Sequence, residues 1–260
     1  MPRREVADDG LRLCLGTLTV LPTAPPARLT SGRAATAMVL APAAGVLVGL
    51  AAGGVTVVAS AVGLPGLVCG VAAVATGAAA TRALHLDGVA DTADGMAAIP
   101  HGGDPQRALD VMRRGDVGPA GVVALVLLVV SQAGLIGELS QAHSGWRLLV
   151  TVVLAWAVSR AVLPLLCSRL FAAARPGGLG AAVLRTVPLP MAAGVTMLVL
   201  LVAALTAGWP AAAGTAVSLA AGVAVAAGVA RRIEGLTGDV LGAAVEVTLV
   251  VALAAATLIR

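Results

Sequence analysis

Long apolar stretches alternate with short polar segments along the chain, and this pattern predicts a helical membrane protein. The charge-free residues 34–81 suit two membrane-spanning helices with a break near Gly63 and Pro65. The charge-free residues 186–230 suit two more, with a break around Gly208. Single spans are predicted at residues 119–137, 148–167 and 240–259. We therefore expect about seven spans, within a range of six to eight.

The N-terminal region, residues 1–33, differs from these spans. Its apolar run from Leu11 to Leu21 is shorter than the roughly 20 residues that a membrane span needs. A proline-rich segment follows, so we expect an interfacial or re-entrant helix. The region lacks the apolar core and cleavage site of a secretory signal, and we interpret it as mature sequence.

The composition supports a single integral membrane domain, residues 1–260, of the all-α class. Hydrophobic residues make up 59% of the chain and charged residues 12%, and the mean hydropathy is +0.99. All seventeen basic residues are arginine, which excludes lysine chemistry. The three cysteines are isolated in apolar surroundings and predict neither disulfides nor a zinc site. The glycines at positions 45, 49 and 53 predict close helix packing.

The distribution of arginine predicts the orientation in the membrane. Seven spans place four polar regions on one side, namely residues 1–33, 82–118, 169–187 and 231–239. Only Arg147, Arg160 and Arg260 lie outside these regions. The positive-inside rule makes this side cytoplasmic. The net charge of +4 therefore reflects topology, and we expect no nucleic-acid partner.

The segment H-L-D-G-V-A-D-T-A-D-G, His85 to Gly95, is the strongest candidate for a functional site. In a helix, Asp91 lies roughly 40° and Asp94 roughly 20° from Asp87 around the axis, so all three carboxylates share one face. Their mutual repulsion favours a bound cation. Mg2+ takes oxygen ligands of this kind, together with water and substrate phosphates. The alternative is a solvated acidic turn.

Asp239 and Glu246 form a second candidate group near the C-terminus. Their seven-residue spacing places both on one helix face, about 10 Å apart along the axis. Glu246 falls inside an apolar span, where ionisable groups are expensive. The structural alternatives are a helix N-cap for Asp239 and a protonated packing residue for Glu246. Asp94, Asp239 and Glu246 are all candidates for the catalytic base.

Four arginines are candidates for binding phosphate: Arg82, Arg113, Arg160 and Arg175. Guanidinium groups bind phosphate oxygens in pairs, so arginines around a metal-bound carboxylate cluster suit phosphoryl transfer. Topology alone is the alternative explanation for Arg113. Arg160 interrupts a span, and we expect it to pair with an inward-facing acid. His85 lies about 160° from the aspartate face and is predicted to point away from it.

The motif from His85 to Gly95 resembles the H-L-D-G-x-A-D-T-x-D-G motif of the membrane-bound cobalamin synthases, the adenosylcobinamide-GDP ribazoletransferases. Further similar segments follow the order of the chain: T-L-T-V-L-P at 17–22, V-M-R-R-G-D-V-G-P-A-G at 111–121, A-R-P-G-G-L-G at 174–180 and T-G-D-V-L-G-A-A-V-E at 237–246. One departure is present. Many family members read D-S-R where this chain has Arg114, Gly115 and Asp116, which leaves the role of Asp116 open.

The resemblance implies an enzyme of a bacterial cytoplasmic (inner) membrane. A ribose hydroxyl of alpha-ribazole, or of its 5'-phosphate, would attack the phosphate attached to cobinamide in adenosylcobinamide-GDP, and GMP would leave. Mg2+ held by Asp87, Asp91 and Asp94 would be the cofactor. The lipid bilayer is the expected environment, and the sequence leaves a homo-oligomer open. The rival hypotheses are a CDP-alcohol phosphotransferase and, from a different class, a cation-coupled transporter.

Overall fold

The computed structural model describes residues 2–24, 26, 28–100 and 103–259, so Arg260 lies outside the described residues. The regular structure in these residues is helical, apart from two isolated backbone bridges. This confirms the predicted all-α class. The helices are α1 (Pro2–Leu18), α2 (Ser31–Val39), α3 (Ala41–Ala61), α4 (Gly66–Thr81), α5 (Leu84–Ala97), α6 (Pro105–Val111), α7 (Pro119–Ala142), α8 (Gly145–Leu166), α9 (Gly178–Val183), α10 (Leu189–Ile233) and α11 (Gly238–Leu258).

Helices α3, α7, α8, α10 and α11 are each long and apolar enough to cross a membrane. Helix α4 has 16 residues and reaches that length only together with α5, from which it is bent by 93°. Counting this pair as one span gives six among the described residues. The interruption between α3 and α4 falls at residues 62–65, where the sequence predicted it.

Helix α10 doubles back on itself. Val187, just before α10, donates a backbone hydrogen bond to Cys167 (3.1 Å), and Leu236, just after α10, donates one to Ala172 (2.8 Å). Cys167 and Ala172 can be at most about 17 Å apart along the chain. A straight helix of 45 residues would instead separate its ends by roughly 68 Å.

The turn in α10 lies at Ala207 and Gly208, which have non-helical backbone angles. Gly208 has a φ of 81°, a left-handed conformation that glycine adopts without steric cost. Residues 189–206 and 209–233 therefore form two antiparallel segments, each of membrane-spanning length. Counting them separately raises the number of spans in the described part of the chain to seven, the number predicted.

Glycines allow α3 and α8 to approach closely. A Cβ atom at Gly45 would lie 2.5 Å from the carbonyl oxygen of Trp156, and one at Gly49 would lie 2.8 Å from Cα of Val153. Only glycine permits this contact between backbones. The predicted packing role of these glycines is confirmed.

Helix α1 packs against α2. It is not among the helices that are long and apolar enough to cross a membrane. An ion pair of 2.6 Å joins Asp9 of α1 to Arg33 of α2. This position beside the bundle agrees with the interfacial helix predicted for this region.

Helix α5, which carries the aspartate motif, is bent away from α4 and packs against the first turns of α7 and α11. Arg82 and Ala83, both with left-handed backbone angles, turn the chain between α4 and α5. A Cβ atom at Gly88 would lie 2.6 Å from the carbonyl oxygen of Asp239, so glycine brings α5 directly onto the first turn of α11. The two acidic segments of the sequence therefore meet in space.

Candidate active site

Asp87 and Asp91 of α5 and Asp239 of α11 form the centre of an acidic cluster. Asp87 is exposed and Asp91 is half-buried. Burial, together with the negative charges of Asp87, Asp239 and Asp94, raises the pKa of Asp91 to about 6. Arg175 acts in the opposite direction. The cluster therefore gains from any cation that offsets its charge.

Asp239 is held in place by its neighbours at the start of α11. The Thr237 hydroxyl donates to Asp239 Oδ2 (3.0 Å), and Arg175 Nη2 lies 3.6 Å from the same oxygen. The N-cap of α11 is Thr237, whose side chain accepts from the Val240 N–H. Asp239 is thus not the cap, the structural alternative left open by the sequence, and its carboxylate faces the cluster.

Asp94 lies on the same helix face but has a structural contact of its own. Its two carboxylate oxygens accept backbone hydrogen bonds from Gly118 (2.7 Å) and Gly121 (2.8 Å) at the start of α7. A carboxylate in this position satisfies free N–H groups of the first turn and stabilises the helix dipole. Asp94 therefore joins α5 to α7, a contact that the helical geometry of the motif alone does not reveal.

We expect Asp94→Asn to destabilise the protein by about 1 kcal/mol, because the asparagine amide can replace only one of the two accepting oxygens and helix caps contribute about that much. Thermal unfolding in detergent measures this change. Binding of Mn2+, a spectroscopic substitute for Mg2+, should persist in the variant. Unchanged thermal stability together with lost Mn2+ binding would instead assign Asp94 to the metal site, as the sequence predicted.

Glu246 and Arg160 lie in a polar network inside the bundle, away from the acidic cluster. Gln132 of α7 donates to Glu246 Oε2 (2.6 Å), and Arg160 of α8 donates to Ser159 Oγ (2.7 Å). The His85 Nδ1 atom lies 3.4 Å from Arg160 Nη2 and 3.9 Å from Glu246 Oε1. Arg160 is 2% exposed and Glu246 5%.

Three predictions concern residues of this network. Arg160 contacts Ser159 and His85, whereas the acid expected as its partner, Glu246, lies in the same network without a direct ion pair to it. The buried guanidinium of Arg160 is not available to a phosphate in this structure. Glu246 is likewise separated from the cavity beside the acids, so its predicted catalytic role finds no support in the geometry. His85 points away from the aspartate face, as predicted.

A cavity of about 170 Å³ opens beside the acidic cluster. Asp87, Asp239, Arg175 and His85 contribute polar side chains to its lining. The apolar part of the lining comes from α1, α2, α8, α9 and α11. It includes Leu18, Met38, Leu163, Val183 and Leu241. Leu18 and Leu241 belong to the motif segments at 17–22 and 237–246. The other three have no motif signal, and only the fold identifies them.

The predicted phosphate-binding arginines separate into different places. Arg175 is the one that lines the cavity, and its Nη1 donates to the carbonyl oxygen of Leu109 (3.4 Å). Arg82 donates to the carbonyl oxygen of Gly16 (2.8 Å) and so fastens α1. Arg113 is exposed and pairs with Asp110 at 3.4 Å. In this structure, only Arg175 is placed to meet a ligand in the cavity.

Among the described residues, no group of three or more acidic, histidine or cysteine side chains is arranged to enclose a metal ion. This does not conflict with the chemistry of Mg2+, which is commonly bound through one or two carboxylates together with water and substrate phosphates. Asp87 and Asp91 supply carboxylates of that kind.

Gln132, which donates to Glu246 in the buried network, is not among the residues predicted from the sequence. An amide within an apolar span is the sequence signal that marks it.

The described residues define an all-helical, multi-pass membrane protein with a carboxylate cluster beside a cavity at one end of its bundle. Residues 10–257 match the family model described as cobalamin-5-phosphate synthase. The chain belongs to this family, which confirms the resemblance found in its motifs.

Curated relatives support this assignment. A Nocardioides sp. protein named adenosylcobinamide-GDP ribazoletransferase is 41% identical over 247 residues, which cover 95% of this chain and 97% of the relative. Proteins with the same name from Frankia casuarinae (36% identical, covering 69% of this chain and 65% of the relative) and Ectopseudomonas mendocina (38%, covering 67% and 69%) are also similar. No solved structure matches the chain significantly.

Proposed function

We propose that this chain is an adenosylcobinamide-GDP ribazoletransferase that joins adenosylcobinamide-GDP to alpha-ribazole or its 5'-phosphate and releases GMP. Family membership over residues 10–257 and the names of the relatives support this activity. The observation that carries the proposed mechanism is the meeting of Asp87 and Asp91 with Asp239 beside a cavity. Such a cluster suits phosphoryl transfer, in which positioning and charge compensation supply most of the catalysis.

The reaction forms one bond and breaks one. A ribose hydroxyl oxygen attacks the phosphorus attached to cobinamide, and the anhydride bond to GMP breaks. Asp239 is our candidate for the base that accepts the hydroxyl proton. Of the three candidate bases, it alone lines the cavity, and Thr237 orients it.

Mg2+ is the proposed cofactor, bound by Asp87 and Asp91 and completed by water and the substrate diphosphate. The donor set fits, because these are carboxylate oxygens whose shared charge a cation would offset. When bound there, Mg2+ supplies charge compensation for the diphosphate and the leaving GMP. Asp87 and Asp91 would hold the cation through their carboxylate oxygens.

Arg175 is the proposed phosphate-binding residue of the protein. Its guanidinium group lies 3.6 Å from Asp239 and lines the cavity. A planar guanidinium can hold two phosphate oxygens at once. If the Arg175 side chain moves from Asp239 to the phosphate of the substrate, the Asp239 carboxylate is free to accept a proton.

The proposed orientation places the site on the cytoplasmic side of a bacterial inner membrane. The helix ends near the site are joined by the arginine-rich segments of the chain. The positive-inside rule assigns these segments to the cytoplasm. Water-soluble alpha-ribazole would then reach the site without crossing the bilayer.

The activity is tested by measuring GMP release from purified, liposome-reconstituted protein with adenosylcobinamide-GDP and each form of the nucleophile. We expect release that requires both substrates and stops when EDTA removes the metal, then recovers with Mg2+. An absence of product with both alpha-ribazole and its 5'-phosphate would refute the assignment. Full turnover in EDTA would refute only the metal dependence.

A further inference from the structure

The apolar part of the cavity is the feature that the proposed reaction leaves without a role. Leu18, Met38, Leu163, Val183 and Leu241 are at most 6% exposed and line it. Their side chains carry no hydrogen-bond donor, and their one acceptor is the weakly accepting sulfur of Met38. Arg175, Asp239 and His85 line the same cavity. A ligand that fits this arrangement has an apolar group at one end and a hydroxyl or phosphate at the other.

The size of the cavity restricts the apolar group to a ring system of modest size. An apolar cavity of about 150 Å³ is sufficient to bind benzene. The volume here, about 170 Å³, suits a small aromatic ring system that extends toward the open rim, and it is too small for a corrin. The ligand group inside the cavity is therefore an aromatic base or a part of similar size.

The two substrates of the proposed reaction carry three aromatic bases: guanine and adenine on adenosylcobinamide-GDP, and dimethylbenzimidazole on alpha-ribazole. Adenine has an amino group and ring nitrogens that would lose their hydrogen bonds to water against apolar walls. Guanine, on adenosylcobinamide-GDP, has an amino group, ring N–H groups and a carbonyl oxygen, which would lose their hydrogen bonds to water against leucine and methionine side chains. The dimethylbenzimidazole of alpha-ribazole has two methyl groups and no N–H once it is joined to ribose. Its burial against the same walls is favourable.

We propose that this apolar cavity is the binding site for the base of alpha-ribazole and determines which nucleophile the enzyme accepts. This inference rests on the proposed function. With the base between α2, α8, α9 and α11, the ribose lies toward the polar rim, where Asp239 can accept its proton. The guanine of the second substrate then lies outside this cavity.

The test is Val183→Phe, which fills the cavity from α9. We expect KM for alpha-ribazole to rise on the order of tenfold or more, because overpacking at such a wall is strongly unfavourable. KM for adenosylcobinamide-GDP should stay within about twofold of the value for the unmodified protein, because the two substrates bind at different places. The matched control is Ala211→Phe, at the wall of a second cavity of about 500 Å³ at the other end of the bundle, which should leave both values unchanged.

A second measurement uses the unmodified protein, so it does not depend on how the variant folds. Free 5,6-dimethylbenzimidazole should inhibit GMP release competitively with alpha-ribazole, whereas free guanine should not. Inhibition competitive with adenosylcobinamide-GDP, no inhibition at all, or a Val183→Phe effect confined to the KM of adenosylcobinamide-GDP would overturn the inference. Inactivity of the unmodified protein would instead refute the proposed function.

Discussion

Asp87→Asn and Asp91→Asn should each reduce GMP release by on the order of a hundredfold or more while the protein stays folded in the membrane. Asparagine keeps the shape of the side chain and removes the charge that would bind Mg2+, and charge stabilisation at a reacting centre has effects of this size. Asp87 is exposed and Asp91 half-buried, so neither substitution opens a cavity in the core. The rate of GMP release and the elution of detergent-solubilised protein from a sizing column measure the two effects.

The matched control for these substitutions is Asp110→Asn. Asp110 is an exposed acid of α6 that pairs with Arg113, outside the acidic cluster, and its replacement should leave turnover near that of the unmodified protein. Near-normal activity of either Asp87→Asn or Asp91→Asn would remove that residue from the proposed metal site.

The second large effect concerns the buried network. Arg160→Met should destabilise the protein by about 3–5 kcal/mol, because Glu246 would remain in the bundle without the opposite charge near it. We expect a large decrease in the thermal unfolding temperature in detergent and less protein in the membrane.

The double variant Arg160→Met, Glu246→Leu provides the control for this prediction. It removes both charges, so it should be more stable than Arg160→Met alone, since a buried pair can be replaced by apolar residues at little cost. Stability of Arg160→Met equal to that of the unmodified protein would contradict the importance of Arg160 in this network.

The sequence predicted the helices and their order well, because long charge-free stretches leave few alternatives in a membrane. It also identified Asp239 as a candidate catalytic base, and the fold brings the segment with Asp239 beside Asp87 and Asp91. Gly88 explains how this happens, since its missing side chain lets α5 lie on the first turn of α11. Such a contact between distant segments becomes visible only in the fold.

The positions of Glu246 and Arg82 show what residue spacing cannot predict. Glu246 shares a helix face with Asp239 but lies about 10 Å further along the axis, where it meets Gln132 and His85 instead of the cavity. Arg82 precedes the motif in sequence, yet its side chain extends to Gly16. The spacing of residues along one helix predicts the direction in which a side chain points. The depth of that side chain in the bundle and its contacts depend on how neighbouring helices pack.

Arg114 and Asp116, where the chain departs from its family's pattern, are both exposed in the segment between α6 and α7. The neighbouring Gly118 and Gly121 hold Asp94 through their backbone N–H groups. Because these contacts use the backbone, they do not depend on the order of the acid and the base at 114 and 116.

The central claim is that Asp87 and Asp91 bind a divalent cation together with the substrate diphosphate. The most direct test is an electron paramagnetic resonance titration of Mn2+ into purified protein with adenosylcobinamide-GDP and without alpha-ribazole. We predict that the unmodified protein and the Asp110→Asn control bind Mn2+ that Mg2+ displaces, and that Asp87→Asn and Asp91→Asn bind it at least about tenfold more weakly. Equal Mn2+ affinity in all four proteins would contradict the claim.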